Sequence, residues 1–124
     1  MIRFHVYTHN GAWQVSCFVE AFDVREVSKA LTDAGATRTE QRECLSYFRK
    51  GGKNGGFTFS NSNHRCSVVC TFNSQNLSQL MNTIFHEARH LERHICKSDG
   101  IDPYGERAGY LAGQIIQRAI KASV

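Results

Sequence analysis

The sequence predicts an α+β domain: a small antiparallel sheet from two β-hairpins, packed with four helices in the order ββ-α-α-ββ-α-α. Three observations carry that expectation. An alternating N-terminal stretch is broken at Asn10-Gly11, a second alternating pair of runs lies between Phe57 and Phe72, and apolar residues recur at helical spacing from Leu77 to Ile95. With 124 residues the chain is long enough for one modest core without disulfides, so a single domain spanning 1–124 is expected. Its first part is a hairpin and two helices (1–50), and its second is a hairpin followed by two helices (56–121).

In the first hairpin, Ile2, Phe4 and Val6 alternate with Arg3, His5 and Tyr7, the pattern of a half-buried strand. Asn10-Gly11 accepts positive φ at both central positions of a tight turn. Trp13, Val15, Cys17 and Val19 then form the second strand. Asp23 with Glu26 three residues later suggests a helix start, Val24, Val27, Ala30, Leu31 and Ala34 supply the apolar stripe, and Gly35 stands where a C-terminal cap belongs. Thr37 and Glu40 repeat the capping pattern for a helix over 38–50, with Glu40 and Glu43 early and Arg49 and Lys50 late, as the helix dipole prefers.

Gly51–Gly56 reads as a connector, since no Gly-Lys-Ser/Thr string makes it a phosphate loop. Phe57-Thr-Phe59 and 65–72 form the second hairpin around Ser60–Asn63, with Cys66, Val68, Cys70 and Phe72 on one face. Asn76 and Gln79 mark the start of the central helix, and Lys97, Ser98 and Gly100 its end. Asp102-Pro103 then signals a last helix over 103–121, with Ala108, Leu111, Ala112, Ile115 and Ala119 facing inward.

Composition narrows the class. Hydrophobic content of 41% and charged content of 21% are those of a soluble globular protein, and no stretch approaches the roughly 20 apolar residues of a membrane helix. A net charge of +4 is spread along the chain without a lysine/arginine block, which argues against a nucleic-acid arm. Five cysteines, with no C-x-x-C pair, suit reduced thiols better than a disulfide scaffold. Together with the lack of a signal-peptide core at the N-terminus, this predicts a cytoplasmic protein.

The central helix contains His86-Glu87-Ala88-Arg89-His90, an H-E-x-x-H string. Two histidines four residues apart on a helix project about 40° apart, close enough to grip one metal ion, and the glutamate between them can reach a metal-bound water. Both histidines fall outside the apolar stripe, so a core role is not expected for either. His94 continues the spacing, but eight residues of helix rise about 12 Å, too far for a third bond to the same metal. It reads instead as a supporting or surface residue. Glu106, sixteen residues after His90 at the start of the next helix, is the better third ligand, because a short connection at 98–102 lets the two helices pack antiparallel. Asp99 and Asp102 are alternatives.

On His86, Glu87, His90 and Glu106 the chain resembles the gluzincins, zincin-like zinc metallopeptidases that pair H-E-x-x-H on one helix with a glutamate on the next. The resemblance covers residues 76–113. It departs where gluzincins carry an aspartate or asparagine four residues after that glutamate, a position held here by Tyr110. Residues 57–113 are also similar to small H-E-x-x-H proteins of phages and mobile elements, a similarity that supplies no activity. The resemblance implies an active-site helix followed by a glutamate helix. His86, His90 and Glu106 would hold Zn²⁺, Glu87 would be the general base, and a peptide or protein substrate would align on strand 65–72 as an edge strand. Tyr104, Tyr110, His64 and His94 are candidates for a donor to the oxyanion or for support of the ligands. The alternative is a non-enzymatic binding or regulatory protein with a structural or vestigial metal site, since a short chain leaves little room for a second lobe.

Overall fold

A computed structural model describes residues 1–20, 23–49, 55–72 and 74–123, apart from the side chains of Phe48, Arg49, Ala122 and Ser123. The expected Gly51–Asn54 part of the connector and Lys50 lie outside the described residues. The elements are β1 (Ile2–Thr8), β2 (Gly11–Val19), α1 (Val24–Asp33), α2 (Arg38–Arg49), β3 (Gly56–Asn61), β4 (Cys66–Thr71), α3 (Leu77–Asp99) and α4 (Glu106–Ser123). The α+β class and the two hairpins are therefore as expected.

The seam between the hairpins differs. The sheet order is β1-β2-β4-β3, and β2 and β4 pair in parallel, with Gln14 opposite Cys66 and Val19 opposite Thr71. The sheet is mixed rather than purely antiparallel. The physical reason is visible in β4, where Ser67, Val68, Val69, Cys70 and Thr71 are all buried. A strand covered on both faces lacks polar alternation and suits an interior, parallel-paired position. It follows that 65–72 is not an edge strand. That place belongs to β3, which pairs with β4 alone among the described residues.

Alternation along the strands sorts the core into two layers. Val6, Trp13, Val15 and Val69 pack against Ala88, Leu91 and Ile95 of α3 and against Ala108, Leu111 and Ile115 of α4. On the opposite face Phe18, Phe57, Phe59, Val68 and Cys70 pack against Val27, Ala30 and Leu31 of α1, with Cys44 and Leu45 of α2 at its margin. The sheet is thus sandwiched, α1 and α2 on one side and α3 and α4 on the other.

The helix ends follow local chemistry. Thr37 and Glu40 form a reciprocal capping box: the Glu40 amide donates to Thr37 Oγ1 at 3.1 Å and the Thr37 amide to Glu40 Oε1 at 2.9 Å. Asn76 Oδ1 accepts from the Gln79 amide at 2.9 Å, and Gly100, at φ +66°, ends α3 in the left-handed region. The last helix begins later than Asp102-Pro103 suggests. Asp102 Oδ1 accepts from the Tyr104 amide in a turn, and α4 starts at Glu106.

The buried face of α3 also departs from the apolar pattern. Leu77 and Phe85 are exposed, whereas Glu87, Glu92 and Asp99 are buried. Among the described residues no helix is long and apolar enough to cross a membrane.

Candidate metal centre

His86 and His90 stand on the exposed side of α3 and turn their rings toward each other. Their Nε2 atoms are 3.1 Å apart and their ring planes meet at 86°. Two nitrogens each about 2.0–2.1 Å from one tetrahedral zinc would be about 3.4 Å apart, so the pair is set for chelation with little movement.

Glu87, beside His86, points a different way. It is only 3% exposed, and its Oε1 accepts from Thr58 Oγ1 on β3 at 2.9 Å. Thr58 Oγ1 also lies 3.3 Å from the Glu87 carbonyl oxygen, so one strand residue steadies both main chain and side chain. Close approach is possible because β3 opens with Gly56. A Cβ there would stand 2.1 Å from the Cys70 carbonyl oxygen and 3.3 Å from Glu87 Cγ.

Around these residues lies a cavity of about 420 Å³. His86, Glu87, His90 and His94 line it from α3, and Gly56 to Phe59 line it from β3. Its third wall is α2, through Glu40, Glu43, Cys44 and Tyr47. Because α2 covers one face of the sheet and α3 the other, the cavity runs along the side of β3 away from β4. The acidic wall had no signal in the sequence beyond the helix dipole reading of Glu40 and Glu43. Tyr47 stacks on Phe57 at 6.3 Å between centroids, which fixes α2 at the mouth.

His94 is half-buried and lies in this cavity, one turn beyond His90. Its Nδ1 is 2.6 Å from Ser60 Oγ, Ser60 Oγ is 2.7 Å from Ser67 Oγ, and the Trp13 indole N–H donates to Ser67 Oγ at 2.9 Å. Burial, and then the charges of His90 and Lys97, push the His94 pKa below its ordinary value, which favours the neutral ring.

Glu106 is not brought to the histidines. It is exposed at the first position of α4, where its carboxylate accepts from Tyr110 Oη at 3.3 Å. Since α4 packs through Ala108, Leu111 and Ile115 onto the buried side of α3, its N-terminus lies beside the end of α3, away from the cavity. Tyr104 and Tyr110 are exposed at 87% and 69% and do not line the cavity either. Asp99 is committed elsewhere, to Arg65, and Asp102 to its own turn. His64 lies exposed at the β3–β4 turn, against Gly35. Among the described residues no three His, Cys, Asp or Glu side chains are placed to hold one metal ion. The residues present therefore fit two of the three protein ligands that a catalytic zinc takes.

These features define an α+β domain with an H-E-x-x-H helix beside an open sheet edge. Compared with family models, curated proteins and solved structures, the chain matches none.

Proposed function

We propose that this protein is a zinc-dependent hydrolase of the metallopeptidase type, cytoplasmic, acting on a peptide or protein. One observation carries the reading: the 3.1 Å approach of His86 Nε2 to His90 Nε2 on the wall of a cavity that also holds Glu87. Helical spacing brings the two imidazole nitrogens together, and the fold sets that pair beside a cleft and a buried carboxylate.

His86 and His90 would hold the metal, which when bound supplies a Lewis acid and lowers the pKa of its water toward about 7. Glu87, which lines the same cavity, would serve as the general base beside that metal and as the proton donor to a leaving amine. Thr58 holds that carboxylate in place, and burial against Gly56 limits its contact with bulk solvent. An extended chain entering the cavity would run along β3, which pairs with β4 alone among the described residues. The five free thiols agree with a reducing compartment. Neither a membrane nor a nucleic acid is part of this reading.

Zinc content after purification without added metal tests it. The wild type and Glu87→Gln should carry zinc, His86→Ala and His90→Ala should lose it, and peptide cleavage should vanish in Glu87→Gln alone among the zinc-bearing forms. Zinc content indifferent to both histidines would sink the proposal.

The second reading is a non-enzymatic binding or regulatory protein with a structural or vestigial metal site. It is favoured by the finding that, among the described residues, no third donor stands beside the two histidines, which alone hold zinc less tightly than three ligands. A zinc-loaded wild type with no exchangeable water on the metal would favour it over the hydrolase.

A further inference from the structure

The hydrogen-bond chain behind His94 has a direction, and its direction is set in the core. The Trp13 indole can only donate, so Ser67 Oγ receives a hydrogen from it. Trp13 is 0% and Ser67 1% exposed, so water does not reach this end of the chain. The Ser67 hydroxyl must donate in turn, and the acceptor beside it is Ser60 Oγ at 2.7 Å. Were Ser60 to donate to Ser67 instead, the Ser67 hydrogen would be buried without an acceptor, a cost larger than a typical hydrogen bond returns. Ser60 therefore receives from Ser67 and donates onward, to His94 Nδ1 at 2.6 Å. An imidazole that accepts at Nδ1 carries its proton on Nε2.

We infer that His94 is locked as the Nε2–H tautomer by the Trp13–Ser67–Ser60 chain and donates a hydrogen bond to a carbonyl oxygen of a bound peptide, making it a substrate-binding residue rather than a metal ligand. This rests on the hydrolase reading. A nitrogen that carries a proton has no lone pair for a metal, so the same chain that fixes the ring withholds it from coordination. The distance argues for the substrate role. His94 stands one helical turn, about 6 Å along the axis, beyond His90, and its Nδ1 contact holds the ring toward Ser60 of β3 rather than toward the histidine pair. That span is about two residues of extended chain at roughly 3.3 Å each. The acceptor that His94 meets is thus the carbonyl of a flanking peptide unit lying along β3, not the carbonyl under attack.

Two measurements test it. Selective ¹⁵N-histidine NMR of the metal-free wild type should show His94 protonated at Nε2, with the preference relaxing to a tautomer mixture in Ser60→Ala. A His94 protonated at Nδ1 would overturn the inference outright. This reading needs neither zinc nor activity, so it stands apart from the test of the hydrolase itself.

The second compares acetohydroxamate with an N-acetyl-dipeptide hydroxamate on zinc-loaded protein. The dipeptide should bind the wild type more tightly, and His94→Phe should lose about tenfold of that gain while its zinc affinity stays within about twofold. Equal binding by wild type and His94→Phe would overturn the substrate contact, and a tenfold loss of zinc affinity would make His94 a ligand instead. Failure of both compounds to bind zinc-loaded wild type would sink the hydrolase reading and the contact with it. Should His94→Phe fail to fold, Ser60→Ala replaces it in the binding comparison, with a smaller loss of the same sign.

Discussion

Arg65 grips Asp99 with both arms of its guanidinium, Nη1 to Oδ1 at 2.7 Å and Nη2 to Oδ2 at 3.1 Å, and so ties the β3–β4 turn to the last residue of α3. Arg65 holds this pose at φ +49°, with its guanidinium carbon 5.3 Å from the centre of the Trp13 ring. The Asp99 side chain is 1% exposed, so removing its partner strands a charge. Arg65→Ala should cost about 3 kcal/mol in a denaturant titration, the lower end for breaking a buried pair, because Thr8 still donates to Asp99. The Arg65 hydrogen bonds hold the Asp99 pKa at about 2, below its unfolded value. A carboxylate depressed in the folded state stabilises above its unfolded pKa, and that contribution fades as pH falls from about 4 through about 2. Wild type should lose this increment of stability over that window, and Asp99→Asn should not.

Gly56 is the point where β3 meets β4 and α3 together. A Cβ 2.1 Å from the Cys70 carbonyl oxygen collides with backbone, not with a flexible side-chain end, so nothing nearby can yield cheaply. Gly56→Ala should destabilise the fold by about 2 kcal/mol or part β3 from β4 at its first rung, as overpacking does. Hydrogen exchange decides between these. Faster exchange confined to 56–61 marks the local outcome, and a stability equal to wild type would refute the contact.

The hairpins, the capped helices and the H-E-x-x-H helix were legible in the sequence because each depends on neighbours a few residues away. The Thr37–Glu40 box and the Asn76 cap are local chemistry that the structure realises as expected, whereas the first hairpin turns at His9-Asn10, with Gly11 at positive φ as the first residue of β2. The parallel seam of β2 and β4 was not legible, since strand pairing between distant segments leaves only the trace of a strand buried on both faces. The site shows the same division. The pairing of His86 with His90 follows from helical spacing, whereas Thr58 against Glu87 and Ser60 against His94 depend on which strand lies across α3. An alternating strand places Thr58 and Ser60 on the face opposite Phe57 and Phe59, and only the fold says that this face meets the site.

Cys17, Cys70 and Cys44 are quiet thiols. Burial pushes Cys17 up to about 11, and burial with the nearby Glu40 and Glu43 carboxylates raises Cys44 to about 11 as well. Cys70 is also raised well above the ordinary thiol value, again chiefly by burial. With thiolate as the reactive form, the folded chain should resist iodoacetamide at pH 7.5 for hours, and unfolding in guanidinium should expose all five cysteines to labelling. Rapid modification of Cys44 in the folded state would refute its suppressed thiolate, since Cys44 lines the cavity and is reached without unfolding.

Glu106 separates the gluzincin arrangement from the one this fold displays. For its carboxylate to join His86 and His90, α4 would have to bring its N-terminus back along α3, against the packing of Ala108, Leu111 and Ile115 on Ala88, Leu91 and Ile95. Burying large apolar side chains is worth about 1.5–3 kcal/mol apiece, so such a shift would forfeit more than one zinc–carboxylate contact on an exposed helix end restores. Glu106→Ala should therefore leave zinc content and zinc affinity within about twofold of wild type, while His90→Ala abolishes binding. Inductively coupled plasma analysis with a competing chelator reads both. A fall in Glu106→Ala to the level of His90→Ala would show that metal binding rearranges α4, and the same titration followed by circular dichroism would then register that movement, because Tyr110 donates to the Glu106 carboxylate along α4.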